Sequence, residues 1–198
     1  MIFDIKKSLP YSFEFEGREY GLNLSFDNVL KVLELFRDGV LSNYEKYEFA
    51  LAMLINDRKS PPVKAAEIIF NDYISLNKNK CSSGNLRLFD FEQDSIYIYS
   101  SFMTDYGIDL FEEQNKLHWW KFISLFQGLS DKTKMREVMN IRQRPVPEPN
   151  KYNAEEIRRL YELKEYYALN ISQEEREQNF RSGIEHLAGV LKSRAKGR

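Results

Sequence analysis

Metal or acid–base chemistry in this chain would have to start at His118 or His186, its two histidines. Neither has a second histidine or a cysteine at ligand spacing, so no zinc site is expected. Glu112-Glu113 and Glu155-Glu156 pair carboxylates in the sequence. Adjacent residues on a helix diverge by about 100°, whereas an acid–base couple must converge on one substrate. Both pairs read as solvated charges. Cys81, the single cysteine, stands beside two serines, with only Lys78 and Lys80 as nearby cations, a weak setting for a reactive thiol. There is no Gly-x-Gly-x-x-Gly, no phosphate-cradling loop and no Gly-x-Ser-x-Gly elbow. Trp119, Trp120 and Phe122 could stack on bases, but no basic groove surrounds them in the sequence, and core packing is the better reading. The reading is a chain with no catalytic residue, no cofactor site and no metal site: an interaction protein and not an enzyme.

The totals agree. The chain has 198 residues, 42% hydrophobic and 30% charged, enough for one core or one core plus an appendage. A net charge of −1 gives no global field toward nucleic acid or an anionic membrane. One thiol cannot close an internal disulfide, which points to a reducing compartment. No apolar run follows the first lysines and none reaches about 18 residues, so neither a secretory signal nor a membrane span is expected.

The aromatic residues sit in a stretch from 89 to 142 that reads as three helices. The first spans about 91–106, with Asp90 as N-cap and Gln93 completing a capping box. Ile98, Phe102 and Tyr106 share its face, and Gly107 ends it in the left-handed conformation. The second spans about 115–127 and is apolar all round except at Lys121, Ser124 and Gln127, so it should be buried on several sides. Trp120→Ala is expected to cost roughly 3–5 kcal/mol if that ring is buried. Ser130 or Asp131 caps the third helix, whose stripe is Met135, Val138, Met139 and Arg142.

Ahead of them, residues 11–25 alternate as a β-hairpin. A loop at 17–18 would pair Phe15 with Tyr20, Phe13 with Leu22 and Tyr11 with Leu24, all on one face. Three helices follow. Ser25 caps one over about 26–37, ended by Gly39. Ser42 and Glu45 form a capping box for the next, and Pro61 and Pro62 open a third. Residues 77–86 read as a loop. Pro145, Pro147 and Pro149 prefer an extended path. The expected organisation is therefore a hairpin plus helical core at 1–143, a proline-rich linker at 144–150 and a helical extension at 151–198. Asn153 caps a helix over about 154–169. A last helix, from near Ser172, carries Phe180, Ile184, Leu187 and Leu191 once per turn, then Lys192, Arg194, Lys196 and Arg198. That stripe either folds back on residues 1–143 or docks on another chain, and its four residues are the candidate partner-binding set. The fold class is mostly α: an N-terminal β-hairpin, a multi-helix bundle and a C-terminal helical extension.

Tyr106, Gly107, Ile108, Asp109 and Leu110, followed by His118, Trp119, Trp120 and Phe122, resemble the bacteriophage gene-product-fifteen family of siphophages and Gram-positive prophages. Gln127-Gly128-Leu129, Ile141-Arg142 and residues 162–169 extend the resemblance, which is best over roughly residues 85–170. It implies a product encoded between the major tail protein and the tape-measure protein. That position suggests a tail assembly chaperone that coats the tape measure in the host cytoplasm, with no catalytic residues. The implied partners are the tape-measure protein, other tail proteins and a homo-oligomer. No membrane partner is implied, and nucleic acid is not expected. The alternatives are a nucleic-acid-associated phage protein using the basic tail, and a minor structural component of the tail.

Overall fold

The structure, a computed structural model, describes residues 4–75 and 87–170. The architecture is mostly α: a two-stranded antiparallel hairpin followed by helices. Two compact units divide the chain, Met1–Gln143 and Arg144–Arg198. Loop 77–86 with Cys81, and the final segment with Phe180, Ile184, His186, Leu187 and Leu191, lie outside the described residues.

Strands β1 (Ser12–Phe15) and β2 (Arg18–Gly21) pair Phe13 with Tyr20 and Phe15 with Arg18. The turn is Glu16-Gly17, one residue earlier than the expected loop, and both residues have positive φ, +50° and +74°. Two positive-φ positions make the type I′ turn whose twist matches a hairpin. A loop at 17–18 would have asked the bulky Arg18 to adopt that conformation. The register moves by two residues, so the same side chains stay on one face. Phe13, Tyr20, Leu22 and Leu24 are buried, and Tyr11 at the end of the row is 60% exposed.

The chain beyond β2 then threads between two elements. Leu22 bridges Ile55, and Ser25 bridges His118. The Trp119 N–H donates to Leu24 O (2.7 Å), and the Phe26 N–H to Leu117 O (2.9 Å). Helix α1 (Phe26–Leu35) follows. Ser25 stands at its N-cap position without capping it, because its hydroxyl donates to Asn23 Oδ1 instead. Helix α2 (Asn43–Leu54) has the full capping box of Ser42 and Glu45. Helix α3 (Lys64–Ile69) runs into a π-helical turn, Phe70–Ile74.

Helix α4 (Ser95–Tyr106) starts four residues later than expected. Asp90 does accept the N–H groups of Glu92 and Gln93, but residues 91–94 form a turn. The Asp90 N–H goes to the Asp94 carboxylate, not to a capping-box glutamine. Gly107 ends α4 at φ +64°. Helix α5 (Trp119–Gln127) also starts later, with His118 at its N-cap. Helix α6 (Lys134–Gln143) begins where the Met135 N–H finds the Ser101 hydroxyl, at 3.0 Å. Phe13, Val29, Leu54, Ile69, Phe102, Trp119, Phe122 and Met135 belong to a single core.

In the second unit, helix α7 (Ala154–Tyr166) ends three residues earlier than expected. Asn153 does not cap it, since its Oδ1 accepts the Asn150 N–H and its amide donates to Glu148 O. Arg144 pairs with Glu156 at 2.9 Å.

Candidate interaction site

His118 is 2% exposed and fully engaged. Its Nδ1 accepts the Trp120 N–H at 3.1 Å, which is the N-cap of α5. Its Nε2 lies 3.0 Å from Pro10 O, a carbonyl that can only accept. The two contacts fix the neutral tautomer with its proton on Nε2. The ring cannot donate or take a proton elsewhere without breaking one of them. Its role is to lock the chain before β1 onto the start of α5.

The adjacent tryptophans separate in depth. Trp119 is 1% exposed, with Nε1–H donating to Ile74 O at 3.0 Å. Trp120 is half-buried, with Nε1–H donating to Tyr73 O at 2.7 Å. Both acceptors are carbonyls of the π-helical turn, where the helix ends and its last carbonyls need outside donors. The expectation that placed Trp120 in the core is corrected in degree: Trp119 is the central ring. Phe122 stacks between Phe26 (4.9 Å), Phe102 (5.2 Å) and Trp119 (5.7 Å). These rings are packed inside, not presented for base stacking.

Residues 106–110 join α4 to the segment before α5. The Tyr106 hydroxyl donates to Leu125 O at 2.9 Å. Asp109 accepts the Phe111 N–H at 2.9 Å through one oxygen and lies 3.4 Å from the Tyr99 hydroxyl through the other. Ile108 is half-buried and Leu110 buried. Each member of the motif has a structural contact, and its one carboxylate, Asp109, is engaged by the Phe111 N–H and the Tyr99 hydroxyl.

Sequence reasoning missed the most demanding electrostatic feature. Arg142 grips Asp94 through both nitrogens, at 2.6 and 2.7 Å, with the two side chains 7% and 0% exposed. Beside it, Asp90 pairs with Arg37 at 2.8 Å and with Arg87. The available signal was Arg142 itself, a guanidinium on the apolar stripe of α6. An arginine at such a position needs a buried anion opposite it.

An open-mouthed, apolar cavity of about 260 Å³ lies between α1, α4 and the segment after Gly107. Phe26, Asp27, Ile98, Tyr99, Leu110 and Phe111 contribute to its wall. Phe111, 70% exposed, stands against Tyr99 with ring centroids 5.2 Å apart. Among the described residues, no group of three His, Cys, Asp or Glu side chains stands together as a metal site would need.

A family model described as Bacteriophage Gp15 protein matches residues 5–169. The chain belongs to that family. It is a bacteriophage protein. The Gp15 match runs from before the hairpin to the end of α7, further toward the N-terminus than the region where the resemblance was best. The Phe180, Ile184, Leu187 and Leu191 stripe lies beyond it. No curated protein and no solved structure matches the chain.

Within this Gp15 chain, His118 supplies a pH test. Burial lowers its pKa from the usual value of 6.5; the Pro10 carbonyl opposes that shift and Lys121 adds to it. The fold therefore favours the neutral ring. The stability this gives is complete above the unfolded pKa and is lost as pH falls from there through the lower folded value. His118→Asn keeps an N-cap acceptor but cannot titrate. Urea melts should show the wild-type protein losing more stability than the variant between pH 7 and pH 5.5. Equal losses in the two proteins would remove His118 as the titrating group.

Proposed function

We propose that the chain is a phage tail assembly factor: a non-enzymatic chaperone that binds the tape-measure protein in the host cytoplasm before the tail tube closes around it. The observation that carries this reading is the Gp15 match over residues 5–169. Resemblance to that family implies a gene placed between the major tail protein and the tape measure. Supporting it, the one histidine among the described residues is held in two structural contacts. The open concavity described above is lined mainly by apolar side chains, as a protein-binding surface would be. No helix among the described residues is long and apolar enough to cross a membrane. Several copies bound along one long helix act at high effective concentration, so weak individual contacts suffice.

The test is co-expression with the tape-measure protein of the same phage, followed by co-purification and light scattering. The tape measure should become soluble and co-purify with the full-length chain. A tape measure that stays insoluble and unbound overturns the reading. Retention on generic DNA that weakens steeply with salt would favour a nucleic-acid role instead. Removing residues 172–198 tests the apolar stripe at Phe180, Ile184, Leu187 and Leu191. Weakened co-purification assigns docking to that stripe, and unchanged co-purification assigns it to residues 1–171.

A further inference from the structure

The cavity beside Tyr99 continues onto an exposed apolar strip. Ile96, 68% exposed, and Met103, 41% exposed, lie seven residues apart on α4, with Tyr99 between them. Phe111 stands at the lip against Tyr99. Seven residues of helix rise about 10.5 Å, two turns, which is the length of an i, i+3, i+7 stripe on a partner helix. The cavity is smaller than the roughly 300–1,000 Å³ of small-molecule sites, and its size suits an inserted side chain.

The charges around this strip are mainly acidic. Asp27 lies in the cavity wall, with Lys31 3.6 Å from its carboxylate. Asp109 reaches the Tyr99 hydroxyl, and both Asp109 and Glu112 raise the Tyr99 pKa by their charge, after burial, which is the larger cause. The Lys116 ammonium is turned to the backbone carbonyl of Glu112 at 2.6 Å.

We propose that this surface docks a lysine- or arginine-flanked amphipathic helix, one large apolar side chain of which enters the cavity beside Phe111 and Tyr99. The proposal deepens the chaperone reading and rests on it for the identity of the partner, the tape measure. The chemistry of the occupant comes from the groove alone: apolar side chains for the strip and cavity, cations for Asp109 and Glu112, since the buried Asp27 carboxylate is already held by Lys31 and by the Asn115 N–H.

The experiment uses the full chain and three probes: the tape-measure protein, a labelled model helix with a leucine stripe flanked by lysines, and its twin with glutamates in place of the lysines. Phe111→Glu and Glu112→Lys alter exposed side chains, and circular dichroism checks that each variant is folded. The lysine helix should bind the wild-type chain about ten-fold or more tighter than its twin. Phe111→Glu should abolish that binding, and Glu112→Lys should narrow the preference between the helices. Equal binding of the two helices, binding of neither, or binding unchanged by Phe111→Glu overturns the docking surface. Tape measure that binds wild type and both variants alike overturns the surface and leaves the chaperone reading standing. Tape measure that fails to bind while the lysine helix binds overturns the chaperone reading and leaves the surface standing. If Phe111→Glu instead turns a wild-type dimer into a monomer, the occupant is a second copy of this chain, and the foreign helix is ruled out.

Discussion

Trp119→Ala is expected to lower the unfolding free energy by about 3–5 kcal/mol, the range for removing a large aromatic from a packed core. The ring is nearly inaccessible and belongs to the group that Phe122 stacks against. Phe91 also meets its edge at 5.9 Å. Truncation would remove those contacts and leave a cavity that neighbouring aromatics cannot easily fill, since Phe122 is held on α5 and Phe91 in the turn ahead of α4. It would also strand the Ile74 carbonyl, which receives the indole N–H, and an unmet buried acceptor adds about 1–3 kcal/mol. A domain of ordinary stability has about 5–15 kcal/mol in total, so the alanine variant could leave too little to measure. Trp119→Phe keeps most of the packing and loses only the N–H and part of the ring. It should give a measurable urea transition with a smaller loss. Trp120→Ala removes a half-exposed ring and should cost clearly less than Trp119→Ala. A Trp120 loss as large as that of Trp119 would contradict the difference in depth between the two indoles.

What could be read from the sequence depended on how local the determining physics was. The face of the hairpin was legible because strand alternation is a two-residue period. Its register was not, because the choice between a turn at 16–17 and one at 17–18 depends on backbone twist, and both turns put the same side chains inside. The Ser42 and Glu45 capping box was legible because both partners lie within one turn of helix. Ser25, Asp90 and Asn153 are equally good cap types, yet none caps its helix through its side chain as expected. Asn23 takes the Ser25 hydroxyl, Asp90 closes a turn ahead of α4 while pairing with two arginines, and Asn153 holds the chain before α7. Those outcomes are decided by neighbours outside the helix in question. The sequence shows of His118 only that no second histidine or cysteine stands at ligand spacing. Its capping role needed Pro10, 108 residues away in sequence, to fix the tautomer. The groove at Tyr99 combines α1, α4 and the segment after Gly107, and no single periodicity announces a surface built from three elements.

Arg142→Met should be as damaging as the loss of Trp119, by a different physical route. The substitution keeps an unbranched, mostly apolar side chain, so packing changes little. It leaves the Asp94 carboxylate, fully buried, without its guanidinium. Breaking a buried pair from one side costs about 3–5 kcal/mol, because an uncompensated charge remains in a medium that solvates it poorly. Arg142→Lys should recover only part of this loss, since an ammonium cannot reproduce the two parallel bonds at 2.6 and 2.7 Å. The informative variant is the double one, Asp94→Leu with Arg142→Met. It removes both charges and should be more stable than Arg142→Met alone, although it carries one more substitution. It should still fall short of wild type. Asp94 also accepts the Asp90 N–H, and Arg142 also donates to Leu88 O at 2.9 Å. Both backbone groups lose their partners in the double variant. Urea denaturation of wild type, Arg142→Met, Asp94→Leu and the double variant closes the cycle. A large favourable coupling energy is expected, as for residues in direct contact. Additive losses would mean that Asp94 and Arg142 do not act as a pair, and the join they make between the start of α4 and the end of α6 would have to come from the aromatic core alone.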